Sequence, residues 1–472
     1  MDPVSPHHTR HPVGDVCFDG ELIKRYDGRG PRYTSYPTAL QFTESFTPED
    51  YHCQAANSNQ ERRPLSLYVH IPFCQSLCYY CGCNKIVTRN KQRIQSYLQH
   101  LYQEIGMQSA LFDKDRVVEQ LHFGGGTPTY LDDPQLIELM AQLRDHFDLE
   151  TGDNREFSIE VDPRSVHDDS IRLLAELGFN RLSLGIQDFD PVVQKAVNRI
   201  QTVSDVAAIV SDARQYDFQS ISFDLIYGLP LQSVASFDRT LNHVIAMRPE
   251  RLAIYNYAHL PARFKGQRMI RDEDIPAPST KLEILHHTID KLVASGYCYI
   301  GMDHFALPED ELVKAQKNGT LQRNFQGYST HSDCDLIALG ASAIGNIGNA
   351  FAQNATSTPE YEKLISSGQL AIKKGIEIDA DDRVRAAVIQ ELMCHDHLDF
   401  NEFGNAHQID FGTYFATELS RLVPLANDGL IALEADNLRI TARGRLLLRS
   451  IAMIFDRYLT TTDNDKRFSR AI

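Results

Sequence analysis

Four of the nine cysteines in this 472-residue chain fall within ten positions, in IPFCQSLCYYCGC (71–83): Cys74, Cys78, Cys81 and Cys83. Thiols this close together hold metal, form disulfides or do redox chemistry. A structural zinc site usually joins two C-x₂-C pairs separated by roughly 12–20 residues, so that four ligands converge as a tetrahedron. Here the spacing is C-x₃-C-x₂-C-x-C in one loop, with no distant second pair, and Cys81 and Cys83 make an awkward bite for one small ion. Short spacings also suit iron–sulfur clusters. Three cysteines of one loop can each take one iron of a cubane and leave the fourth iron open to a substrate or cofactor. The spacing favours a cluster, with zinc as the alternative.

Such a loop needs a rigid mount. It follows the apolar run LSLYVHI (65–71), the first of six strand-like segments; the others are VEQLHF (118–123), EFSIEV (156–161), RLSLGI (181–186), SISFDLI (220–226) and RLAIYNY (251–257). Each is short, rich in branched or aromatic residues and partly alternating. Helix-length segments lie between them, such as DDSIRLLAELGFN, with Ile171, Leu174, Ala175 and Leu177 on one side and Gly178 as the stop. Six βα units in series predict an α/β fold with a parallel sheet and helices outside. No GK[ST] or G-x-G-x-x-G fingerprint follows the first strand, so a partial (β/α)6 TIM-like barrel is favoured over a nucleotide-binding sheet. Further strand-like runs, GYCYIGMDHF and DLIALGASAI, add strands to that barrel.

The domain reading follows. Residues 1–20 read as disordered, 21–60 as a polar lead-in, 61–265 as the barrel, 266–380 as its extension and connection, and 381–472 as a mostly helical C-terminal domain. The last of these ends in a predicted hairpin and long helix, a winged-helix-like pattern; Arg439, Arg443, Arg445 and Arg449 there read as a solvated face. A net charge of −16 argues against whole-surface attraction to nucleic acid or anionic membrane. No stretch reaches the roughly 18 apolar residues of a membrane helix. The N-terminal MDPVSPHHTRHPVGD lacks the apolar core of a secretory signal. The expectation is a cytoplasmic protein whose thiols stay reduced, which disfavours a disulfide staple.

C-x₃-C-x₂-C directly after the first strand of a βα barrel resembles the radical S-adenosylmethionine (SAM) superfamily. YVHIPFCQSLCYYCGCNKIVTR, LHFGGGTPTYL, SIEVDPR, FNRLSLGIQDFD, FDLIYGLP, YNYAHLP, GMDHFA, RNFQGYST and the N-terminal GPRYTSYPT resemble, more narrowly, the oxygen-independent coproporphyrinogen III oxidase family. That resemblance runs from about residue 22 to the final RFSRAI. It implies a 4Fe-4S cluster on Cys74, Cys78 and Cys81, and two bound SAM molecules. Tyr68, Gly125, Glu160 and Ile344 map to the first SAM. Tyr80, Gly126, Thr127, Gln187, Arg199, Asp224 and Ala258 map to the second. Cys83, in a C-G-C ending where haem-chaperone-like paralogues typically carry Phe, maps to a catalytic or supporting role outside the ligand set.

The implied reaction is anaerobic oxidative decarboxylation of two propionates of coproporphyrinogen III to vinyl groups, giving protoporphyrinogen IX, by a 5′-deoxyadenosyl radical made from SAM. Besides the substrate, the implied partners are an electron donor and an electron acceptor that the sequence does not identify, and the implied state is a monomer. Four propionates call for local cations in an acidic protein. Arg25, Arg29 and Arg32, in RYDGRGPRYTSYPT, are the candidates, on a lead-in that would close over the active site. Two rivals stand against this reading: a haem-binding paralogue that keeps the cluster, and a zinc-stabilised regulatory protein.

Overall fold

The computed structural model describes residues 15–331 and 334–459. Six parallel strands lie side by side in chain order: β1 (Leu65–Ile71), β2 (Val117–Gly125), β3 (Glu156–Val161), β4 (Arg181–Gln187), β5 (Ser220–Tyr227) and β6 (Arg251–Asn256). Their bounds match the sequence reading to within two residues. The sheet does not close on itself. Beyond β6 it continues antiparallel through His304–Ala306 and Cys298–Gly301. Beyond β1 it continues through the parallel strand Asp335–Leu339, then Ile344–Ile347, Ala350–Asn354 and Ile372–Glu377. This is a partial barrel with additional strands.

Alternation along each strand sorts its side chains between two faces. Leu67, Val69, Leu121, Phe123, Phe157, Ile159, Leu182, Leu184, Ile221, Phe223, Leu252 and Ile254 are buried in the main apolar core. The intervening positions are polar and line a lumen: Tyr68 and His70, Gln120 and His122, Glu156 and Glu160, Ser222 and Asp224. The helices that cover the outer face start on designed-looking caps. Thr202 and Ser233 each close a capping box, at Val203–Gln215 and Val234–Met247.

The lead-in packs on the C-terminal domain as well as on the barrel. Leu22, Tyr33 and Tyr36 share a second apolar core with Val388, Leu392, Phe400, Leu438 and Phe455. The domain holds the helix Ala380–Cys394 and a three-stranded sheet of His397–Asp399, Asn437–Ile440 and Ile431–Leu433. Two expectations are corrected here. The predicted long final helix is broken into 3-10 turns and one short helix, Leu448–Ala452. Arg445 and Arg449 do not form a solvated face; they are buried. Arg445 Nη2 donates to the carbonyls of Tyr299 and Ile300, both at 3.0 Å, and Arg449 Nε donates to Pro31 O at 3.1 Å. These arginines act as rivets between the domain, the barrel edge and the lead-in. The disorder expected over residues 1–20 falls mostly on 1–14, and RFSRAI on 467–472, outside the described residues; Gly20 opens the helix Gly20–Tyr26.

Candidate active site

The cysteine loop leaves β1 and is pinched at its base, where Phe73–Cys74 pairs in parallel with Ile86–Val87. Ile86 N donates to Pro72 O at 2.6 Å and Thr88 N to Cys74 O at 3.1 Å, so both ends of the loop are fixed. Its tip is tied to the segment after β4. Tyr79 N donates to Val197 O at 3.0 Å, and Asn198 Nδ2 to Leu77 O at 2.8 Å. The loop therefore stands over the C-terminal ends of the strands, where βα folds gather their sites.

Each of the three predicted ligand thiols has its own neighbours. Cys74 Sγ accepts from Thr127 Oγ1 at 3.4 Å. Cys78 Sγ accepts from Arg164 Nη2 at 3.3 Å and Arg199 Nη1 at 3.6 Å. Asp162 holds both guanidiniums, at 2.6 and 3.1 Å. Cys81 is hydrogen-bonded to Cys83, which with nearby Lys85 holds its thiol down to about 5, while Cys83 is pushed well up. Burial pushes Cys74 up to about 11. Among the described residues, no three His, Cys, Asp or Glu side chains converge at the spacing that holds a single ion. Three thiols spread along one fixed loop suit the corners of a polynuclear cluster better than a zinc tetrahedron, so the donor set fits the implied group.

The lumen below the loop is a cavity of about 520 Å³. Tyr68, Gly125, Glu160 and Ile344 all line it, as do Asp224 and Cys83. The Tyr68 ring stacks on His122 with centroids 5.7 Å apart, and its hydroxyl lies 3.1 Å from His70 Nδ1. Glu160 accepts from Gly125 N at 3.1 Å and faces His122 Nε2 at 3.5 Å. Burial raises the Glu160 carboxyl, but its hydrogen bond to His122 and the His122 charge outweigh it, leaving it below the ordinary value. Asp224, buried and facing the Glu160 charge, is pushed up to about 7, although Ser183 Oγ donates to it at 3.1 Å. Glu160 and Asp224, in one cavity, are thus shifted in opposite directions.

Tyr80, Gly126, Thr127, Gln187, Arg199 and Ala258 lie outside the lumen lining. Gly126 N donates to Ile71 O at 2.8 Å, and a Cβ on Gly126 would lie 2.8 Å from the backbone of Pro72 and Phe73, so only glycine lets β2 meet the root of the loop. Gly125, with φ at +113°, lies against the His70 ring. Gln187 ends β4 with φ at +66°, a strained backbone of the kind that clusters at functional sites. Arg199 donates to Gly185 O as well as reaching Asp162 and Cys78. Tyr80 and Ala258 are joined by Gln267 Nε2, which donates to both carbonyls, at 2.9 and 3.2 Å.

The three lead-in arginines fare differently. Arg25 is exposed and paired with Asp428 of the C-terminal domain at 2.8 Å, outside the lumen lining. Arg29 is likewise absent from that lining. Arg32 Nη1 binds Asp303 at 2.5 Å with its guanidinium over the ring of Tyr255, which does line the lumen. Missed by the sequence reading were His70, His122, Asp162, Arg164 and Arg323. His70 could have been found by period two, since it shares a strand face with Tyr68.

Comparison with known proteins decides between the family readings. A radical SAM superfamily model matches residues 68–244, and a HemN C-terminal domain model matches 378–447. The oxygen-independent coproporphyrinogen III oxidase of Pseudomonas aeruginosa is 54% identical over 457 residues, spanning 97% of this chain and 99% of that one. The chain belongs to the oxygen-independent coproporphyrinogen III oxidase family. Its Escherichia coli relative of the same name is 47% identical over 98% of this chain and 100% of its own. The solved coproporphyrinogen III oxidase of Escherichia coli, described as a radical SAM enzyme, superposes with a TM-score of 0.90 at 47% identity, covering 94% of this chain and all of that one. Membership in this radical SAM family carries a 4Fe-4S cluster and SAM as cofactors. The zinc-protein rival is set aside.

Proposed function

We propose that this protein converts two propionates of coproporphyrinogen III to vinyl groups without oxygen, giving protoporphyrinogen IX, on a site whose roles are distributed as follows. Cys74, Cys78 and Cys81 hold the cluster, with Cys83 beside them as a supporting thiol. When bound, the cluster and SAM supply a 5′-deoxyadenosyl radical able to take a hydrogen from a propionate β-carbon. The chain does the rest. Tyr68, Gly125, Glu160 and Ile344 orient one SAM in the lumen, and Gly125 keeps its backbone accessible to the ligand. Tyr80, Gly126, Thr127, Gln187, Arg199, Asp224 and Ala258 serve a second SAM. Asp224, whose carboxyl sits near neutrality, can hold a proton that Glu160 gives up. Buried strands and the apolar shell exclude water and oxygen from the lumen.

After hydrogen removal, each propionate loses carbon dioxide and one electron. The working protein therefore needs an electron donor for the cluster and an acceptor for the substrate electron. Arg32, beside Tyr255 at the lumen wall, is the lead-in residue best placed to meet a propionate. We read the protein as a cytoplasmic monomer that binds neither nucleic acid nor membrane, in line with its net charge of −16. No helix among the described residues is long and apolar enough to cross a membrane.

The observation that carries this reading is the polar lumen of one cavity, opening beneath a fixed three-thiol loop, in a chain of this family. Anaerobic incubation of reconstituted, reduced protein with SAM, coproporphyrinogen III and an added one-electron acceptor tests it. Protoporphyrinogen IX and carbon dioxide in a 1:2 ratio are expected. Deoxyadenosine without any vinyl product would favour a haem-binding role instead.

A further inference from the structure

A second cavity of about 330 Å³ adjoins the lumen, sharing Gln120, Phe325 and Leu336 with it. Its walls are the lead-in at Tyr33–Tyr36, the hairpin strand Gln322–Asn324 and the helix Ala380–Cys394. In a protein of net charge −16, no Asp or Glu among the described residues lines it, whereas Arg323, Arg383 and His331 do. His331 is already committed, its Nδ1 lying 3.4 Å from Glu156.

Arg323 is the unusual member. It is 8% exposed, its guanidinium lies 4.8 Å from the Tyr328 ring centroid, and its Nε donates to Arg32 O at 3.4 Å. Its Nη1 is buried and has no hydrogen-bond partner among the described residues. Asp303, the carboxylate of this region, is taken by Arg32. A buried guanidinium without a counter-charge among the described residues is costly, and the forked donor matches a carboxylate. The RNFQGYST run that contains it has no role in the cluster or SAM contacts.

We propose that this cavity is a carboxylate-reading subsite: Arg323 binds one propionate of the tetrapyrrole while another is held in the lumen beneath the cysteine loop. The inference rests on the substrate reading above and adds the residue that holds the macrocycle by a non-reacting side chain. Arg323 is a binding residue, remote from the reacting carbon, so its loss acts on the complex and the transition state alike.

Fluorescence titration of the reconstituted holoenzyme with coproporphyrin III, and with its tetramethyl ester, provides the test. Arg323→Met is expected to weaken coproporphyrin III binding tenfold or more and to leave ester binding unchanged. Arg323→Lys, which keeps the charge and loses the fork, is expected to fall between, and it carries the test if the Met variant does not fold. In turnover, both should raise the KM for coproporphyrinogen III with little change in kcat. Unchanged affinity for the acid, or equal weakening of acid and ester, would overturn the proposal while leaving the family reading intact if the wild type still makes product. A wild type that neither binds coproporphyrin III nor makes product would overturn both.

Discussion

At the residue scale, the site depends on what surrounds each thiol. Cys78 sits under two guanidiniums held by Asp162, Cys74 under a threonine hydroxyl, and Cys81 against Cys83 and Lys85. These contacts fix where each sulfur points, and at Cys81 they also hold the thiol well below its ordinary value. Cys83 shares that neighbourhood but faces the lumen. Cys78→Ala is therefore expected to lose bound iron and the brown absorption, whereas Cys83→Ala keeps both and loses vinyl product. Iron and sulfide analysis of the two purified variants checks this; a Cys83→Ala protein without iron would move Cys83 into the ligand set. These neighbours were not legible in the sequence, because Arg164 and Arg199 reach Cys78 from loops 86 and 121 positions away.

At the element scale, β1 is held in place from behind. Tyr97, on the helix Lys91–Ser109, donates to His70 O at 2.7 Å. Glu104, on the same helix, accepts from Gly340 N at 2.6 Å, Asn354 Nδ2 at 2.7 Å and Tyr361 Oη at 2.7 Å, fastening the barrel extension beside β1. Burial pushes the Glu104 carboxyl up from 4.5 to about 7 despite those three donors. A raised folded-state pKa means the protonated form is the better folded one. Its stabilisation is complete below pH 4.5 and is lost as the pH rises through about 7. Unfolding free energies of wild type and Glu104→Gln, measured from pH 4.5 to 8, should therefore diverge. Wild type should lose about 3 kcal/mol relative to the variant. A pH-independent difference would show that folding leaves the Glu104 carboxyl unshifted. At this scale the sequence was most legible: period-two alternation and βα rhythm located all six barrel strands, because each strand has one face against helices and one on the lumen. The final helix was misread because Arg445 and Arg449 look like surface residues until the carbonyls of Tyr299, Ile300 and Pro31 are brought to them by the fold.

At the scale of the whole molecule, the open barrel, the lead-in and the C-terminal domain enclose two adjoining cavities beside one cysteine loop. The motifs carried the family, and hence the cofactors and reaction, from the sequence alone. The second cavity could not be read there, since Tyr33, Gln120, Arg323 and Arg383 meet only in the folded chain. The central claim is that hydrogen leaves a propionate β-carbon for the deoxyadenosyl group within this enclosure. Coproporphyrinogen III deuterated at the propionate β-carbons tests it most directly, with mass spectrometry of the 5′-deoxyadenosine formed during anaerobic turnover. The account predicts deuterium in 5′-deoxyadenosine, formed along with the vinyl product. Unlabelled 5′-deoxyadenosine alongside vinyl product would contradict it.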